Sequence, residues 1–225
     1  MFRYSNQHIR PEPRDYHFIT VIGNVGSGKS TLTRALSQSL GYDASFERVA
    51  NNPYLNDFYQ DQNAWGFHLQ IYFLGQRFKD VVEIQQVGHH HMQDRSIYED
   101  VEIFARALYE TGKMSERDFT TYHDLFHNMV DHLIKPDLAI YLTGSLDTIL
   151  HRIALRGRES EKAVPASYWA ELHRRYELFM QQYTHSPVLE VNVDQFDLVQ
   201  HPDHLTYLTQ EVRSFLEGRK VRAAI

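Results

Sequence analysis

HFITVIGNVGSGKSTLTRALSQSLG, His17 to Gly41, decides how the chain reads. Phe18-Ile19-Thr20-Val21-Ile22 is a short apolar run with the β-branched bias of a buried parallel strand. It passes directly into Gly23-Asn24-Val25-Gly26-Ser27-Gly28-Lys29-Ser30, which fits G-x-x-x-x-G-K-[ST], and then into a helical pattern with Leu32, Ala35, Leu36 and Leu40 as its apolar positions. A backbone that wraps an anion must turn successive N–H groups inward, and glycines reach those dihedrals without strain. The stretch therefore predicts a phosphate cradle in which Lys29 reaches the β- and γ-phosphates and Ser30 offers its hydroxyl to Mg²⁺. The helix N-terminus adds partial positive charge, and Gly41 stops the helix.

The rest of the composition narrows the field. A chain of 225 residues with 42% hydrophobic and 23% charged residues is long enough for one α/β domain with a well-buried core. A net charge of −6 argues against a general nucleic-acid or anionic-membrane surface, so phosphates must be met by a local cationic cluster. The absence of cysteine removes thiolate chemistry and cysteine zinc sites. No signal peptide or membrane span is expected, and a cytoplasmic protein follows as the default. Alternating strands and helices predict a doubly wound parallel sheet of about five strands. Residues 1–16 are expected as a polar tail, 17–217 as a single domain, and 218–225 as a second tail.

Several side chains beyond the cradle carry chemistry. Ala44-Ser45-Phe46-Glu47 reads as a short strand ending in an acid, and Glu47 faces the crevice where open α/β sheets bind ligands, which makes it a general-base candidate; a solvated turn glutamate is the alternative. Gln70 and Arg77 share one face of a long helix over about 65–85 and suit a base edge. Asp94 closes a further strand, where it can hold Mg²⁺ opposite Ser30, and Arg95 beside it can neutralise a transferring phosphoryl group. Helix capping by Ser96-x-x-Glu99 competes with that reading. Asp100 and Phe104 share a helix face that fits one polar and one stacking contact. Arg152, Arg156 and Arg158, with Gly157 between, read either as a cationic lid over about 152–165 or as a solvated helix end. The run His89-His90-His91 lacks a carboxylate at ligand spacing and is not read as a metal site.

Taken together, GNVGSGKSTLT, NPYLNDFYQD, WGFHLQIYFLGQRFK, QDRSIYED and HRIALRGR resemble the deoxynucleoside kinase family, most of all its bacterial deoxyadenosine kinases, over about Ile19 to Phe215. The resemblance implies a P-loop kinase fold with a short arginine-rich lid. It also implies transfer of the γ-phosphoryl of ATP or another nucleoside triphosphate to the 5′-hydroxyl of a deoxynucleoside, in deoxynucleotide salvage, with Mg²⁺. It assigns Glu47 as general base, with Lys29 and Arg95 completing the catalytic set. Residues Gly23 to Ser30 and Thr31 hold donor phosphates, as do Arg152, Arg156 and Arg158, while Asp194, Gln195 and Phe196 meet the donor base. Tyr59 and Glu177 match residues that hold the sugar 3′-hydroxyl; Gln70, Arg77 and Asp100 match the base-reading set, and Phe104 a stacking residue. Substitutions at Gln70 or Asp100 are expected mainly to change which nucleoside is used. Asp94 stands where many relatives carry glutamate, and a homodimer is implied.

Deoxyadenosine is the first expected substrate, followed by deoxycytidine and deoxyguanosine. A nucleoside monophosphate kinase would need extra cations for the acceptor's phosphate, for which 47–77 offers chiefly Arg48 and Arg77. A guanine-specific switch would carry Asn-Lys-x-Asp, which is absent.

Overall fold

A computed structural model describes residues 2–9, 14–47, 52–158, 161–162, 164–198 and 200–218. Arg48, the C-terminal tail beyond Gly218 and part of the expected lid lie outside them. The chain runs β1 (Phe2–Ser5), β2 (Phe18–Gly23), α1 (Lys29–Leu40), β3 (Asp43–Ser45), α2 (Leu55–Gln60), α3 (Gln62–Val87) and β4 (His91–Asp94). It continues through α4 (Ile97–Glu99), a π-helical stretch (Asp100–Ala105), α5 (Arg106–Glu110), α6 (Glu116–Val130) and β5 (Leu138–Thr143). The remainder is α7 (Leu146–Arg156), α8 (Ala166–Gln182), β6 (Val188–Asn192) and α9 (Asp203–Leu216).

The strands form one six-stranded sheet in the order β1-β6-β5-β2-β4-β3. β2 lies at its interior with every residue buried, which explains its continuous apolar run. It pairs in parallel with β4 (Val21 beside Asp94) and with β5 (Ile22 beside Tyr141). Helices cover both faces, as the doubly wound expectation requires. On one face Leu32 and Leu36 of α1 and Leu208 and Val212 of α9 meet Ile19, Val21, Ile140 and Leu189. On the other, Ile22, Ala139 and Tyr141 meet residues of α3, α6, α8 and the π-helical stretch, among them Leu74, Val101, Tyr122 and Trp169. No described helix is long and apolar enough to cross a membrane.

The sheet corrects two expectations. It has six strands rather than five, and the extra one lies in the expected N-terminal tail: β1 pairs antiparallel with β6, Phe2 beside Val191. The two aromatic side chains explain why so short a strand docks. Phe2 stacks on Tyr207 with ring centroids 5.4 Å apart, and Tyr4 on Phe215 at 5.2 Å, closing the sheet edge over α9.

The carboxyl ends of the parallel strands gather the site. The phosphate loop leaves β2, Glu47 lies just past β3, Asp94 ends β4, and the 193–198 loop follows β6. Ligands bind at that edge of such sheets.

Candidate active site

The phosphate loop folds as its glycines require. Gly26 and Gly28 have φ of 85° and 98°, in the left-handed region. A Cβ on Gly26 would lie 2.8 Å from Ile153 Cγ1 and 3.0 Å from the Ile149 carbonyl, so α7 packs against the loop. Lys29 Nζ folds back to donate to the carbonyls of Gly23 (2.7 Å) and Asn24 (2.9 Å). Burial and the nearby Arg95 guanidinium lower its pKa to about 8, against the pull of Asp94, Glu99 and Glu47. A polyphosphate is the counter-charge such a lysine lacks.

Ser30 Oγ donates to Asp94 Oδ2 at 2.5 Å, while Asp94 Oδ1 is buried without a hydrogen-bond partner. A hydroxyl beside an unsatisfied carboxylate oxygen fits a hard divalent cation that binds through oxygen.

Glu47 stands between two cations. Its Oε1 lies 3.3 Å from Arg95 Nε and 3.5 Å from Arg77 Nη2. Burial pushes its pKa up, but Arg95, Arg77, Lys29 and Arg158 overcome this, and the net shift is downward. The carboxylate is thus charged and faces the phosphate loop across one cavity of about 530 Å³. Arg95 has φ of 74°, rare for a residue with a side chain, and its guanidinium lies 4.3 Å from the centroid of the Phe104 ring.

The cavity also takes in Tyr59, Gln70, Asp100, Phe104, Arg152, Arg156, Arg158 and Phe196, and the phosphate loop from Val25 through Thr31. Gln70 is 3% exposed and its Oε1 has no partner, so it offers a polar group to the cavity. Arg152 ties the lid side to the cradle by donating to the carbonyls of Ser27 (3.1 Å) and Val193 (3.2 Å).

Six expected residues do not line the cavity; two are Gly23, whose N–H is taken by Glu99 Oε1 at 3.5 Å, and Asn24, whose carbonyl accepts from Lys29. Arg77 does not line the cavity; it backs it, with Nε 2.8 Å from Asp100 Oδ2 and Nη1 donating to the carbonyls of Asp94 and Arg95. Asp100 is thereby committed to an ion pair, so its substitution bears on more than nucleoside choice. Asp194 holds Ser145, the N-cap of α7, accepting from its N (2.8 Å) and Oγ (3.2 Å), and neither Asp194 nor Gln195 reaches the cavity. Phe196, Asp197 and Leu198 supply that wall instead.

Glu177 lies outside the site. Its side chain is 61% exposed and borders a separate cavity with Tyr141, His173 and Glu190. On the lid side the site is lined instead by Glu161, 5% exposed, with oxygens 2.7 and 2.6 Å from Arg156 Nη2. Its charge is among those that raise the Tyr59 hydroxyl, after burial and Tyr168. In the sequence Glu161 is one acid of a polar cluster after the arginines, whereas Glu177 is expected at the sugar only through the family resemblance.

A phosphate cradle, a carboxylate paired with two guanidinium groups, and an adjoining pocket with an aromatic wall define a P-loop small-molecule kinase. The deoxynucleoside kinase family model matches residues 19–217. The chain is 45% identical over 204 residues to the deoxyadenosine/deoxycytidine kinase of Bacillus subtilis (strain 168), covering 90% of this chain and 94% of that one. It is 32% identical to the deoxyguanosine kinase of the same organism, covering 88% and 97%. The structure of deoxyadenosine kinase from M. mycoides with bound dATP superposes with a TM-score of 0.78 at 31% identity, covering 88% of this chain and 100% of that chain. The chain belongs to the deoxynucleoside kinase family.

Proposed function

We propose that the protein transfers the γ-phosphoryl group of ATP to the 5′-hydroxyl of a deoxynucleoside, with deoxyadenosine preferred and deoxycytidine accepted. The observation that carries the reading is Glu47: an ionised carboxylate paired with Arg95 and Arg77 and sharing a cavity with Lys29. The greater similarity to a deoxyadenosine/deoxycytidine kinase than to a deoxyguanosine kinase favours adenine and cytosine.

In this reading Glu47 accepts the proton of the 5′-hydroxyl as it attacks, while Lys29 and Arg95 neutralise charge on the transferring group. The loop from Val25 to Ser30 and the hydroxyl of Thr31 hold the donor phosphates, and Arg152, Arg156 and Arg158 cover them. Ser30 and Asp94 would hold Mg²⁺, which would offset the negative charge of the donor phosphates. Tyr59 and Glu161 hold the sugar, Gln70 reads the base edge with Asp100 and Arg77 behind it, and Phe104 stacks on the ring. Phe196 meets the donor base. The monophosphate alternative loses support because Arg77 is engaged by Asp100 and Glu47. We further infer a homodimer acting in the cytoplasm in deoxynucleotide salvage.

The test is ADP release with each of deoxyadenosine, deoxycytidine, deoxyguanosine and thymidine, alone and in competition. Acceptor-dependent turnover led by deoxyadenosine is expected. Slow, acceptor-independent hydrolysis would overturn the reading.

A further inference from the structure

Glu99 has no role in the chemistry above, yet it is fully buried. Its carboxylate accepts three hydrogen bonds from three parts of the chain. Ser96 N–H donates to Oε2 at 2.6 Å, Tyr176 O–H of α8 to Oε1 at 2.8 Å, and Gly23 N–H, where β2 becomes the phosphate loop, to Oε1 at 3.5 Å. A capping box accounts for the first bond alone. A surface glutamate would serve that purpose without the cost of burying a charge. The other two bonds join residues 76 and 77 positions away.

What these bonds enclose is Arg95. A residue with a side chain at φ of 74° persists only where its surroundings over-determine it. Arg95 N–H is held by the Val21 carbonyl at 2.9 Å, and its own carbonyl by Arg77 Nη1 at 3.3 Å. The next amide, that of Ser96, is held by Glu99. The guanidinium that leaves this turn lies against Phe104 and beside Glu47, so its aim depends on the turn.

We propose that Glu99 is a positioning residue: its buried carboxylate locks the left-handed Arg95 turn to the first residue of the phosphate loop, with Tyr176 holding the carboxylate in place. The consequence for turnover rests on the kinase reading; the consequence for geometry does not. Burial raises the Glu99 pKa on balance, against the downward pull of Arg95, Lys29 and the donated hydrogen bonds, so the lock rests on the three donors that converge on it. An acceptor-only carboxylate suits three donors, whereas an amide of the same size must turn an N–H₂ toward at least one of them.

Glu99→Gln is therefore the test, with Tyr176→Phe as a milder variant that removes one donor and keeps the ring. Glu99→Gln is expected to lower kcat about 10- to 100-fold, as small misplacements of a reacting group do, with the acceptor KM within about threefold of wild type. Tyr176→Phe is expected to lower kcat about threefold to tenfold with thermal stability nearly unchanged. A merely structural role would lower the Tm and leave kcat well below the Tm untouched. Unchanged kcat in a folded Glu99→Gln protein, or in Tyr176→Phe if the first variant does not fold, overturns the proposal. If wild type shows no acceptor-dependent turnover, the kinase reading has failed and a crystal structure of the folded variant decides. Release of Arg95 from positive φ supports the lock, and an unchanged turn refutes it.

Discussion

Removing Asp100 tests how much its buried ion pair with Arg77, behind the nucleoside pocket, contributes to the fold. Arg77 Nε lies 2.8 Å and Nη2 3.5 Å from the Asp100 carboxylate, and the two side chains are 4% and 2% exposed. After Asp100→Ala, the guanidinium keeps two main-chain carbonyls and Glu47 at 3.5 Å, in a place where water does not compensate. Breaking a buried pair from one side costs about 3–5 kcal/mol. At roughly 2–4 °C per kcal/mol for a chain of this size, the Tm should fall by roughly 6–20 °C. Arg77→Met should be milder. Burial already pushes the Asp100 pKa up against the pull of Arg77, so an abandoned carboxyl takes up a proton, which a guanidinium cannot give up. The double variant should recover at least about 1 kcal/mol relative to the sum of the single changes. Thermal and denaturant unfolding of the ligand-free protein at pH 7 measures all three. A fall of less than about 2 °C for Asp100→Ala, or additive single changes, would refute the reasoning.

Glu47→Gln keeps the shape of the cavity but not the base, and should reduce kcat about 10²- to 10⁴-fold in steady-state assays while donor binding changes far less. Glu161→Ala should raise the acceptor KM about tenfold or more by removing a charged hydrogen-bond acceptor, whereas Glu177→Ala should leave it within about twofold; the reverse pattern would restore the first assignment. Lys29, lowered to about 8 by burial, is neutral in the free protein at higher pH and must regain its proton to meet a polyphosphate. Nucleoside triphosphate affinity should therefore be flat below about pH 7 and weaken by up to about tenfold per unit above pH 8. Calorimetry across buffers of different ionisation enthalpy would register that proton uptake.

The parts legible in the sequence were those whose constraints are local. The phosphate loop carries its own signature, since strand, glycines, lysine and helix lie within 25 consecutive residues, whereas Glu47 is only a candidate by its position at a strand end and becomes the base through the family resemblance. Longer-range commitments were not legible. Arg77 and Asp100 were visible as polar positions, but nothing local says that each neutralises the other. The role of Phe2 and Tyr4 depends on α9, some two hundred residues away. The π-helical stretch Asp100–Ala105 reads as ordinary helix, because one extra residue per turn leaves no mark in composition. Glu161 and Glu177 differ in surroundings rather than in type, and only the folded lid distinguishes them.

The placement of β1 also bears on how the chain is born. Phe2 aligns with Val191, so β1 has no strand to join until β6, far along the chain, has been made. The phosphate loop, β3 and β4 can assemble while that opening segment waits, and closing the far edge becomes a late, long-range event of the slow kind.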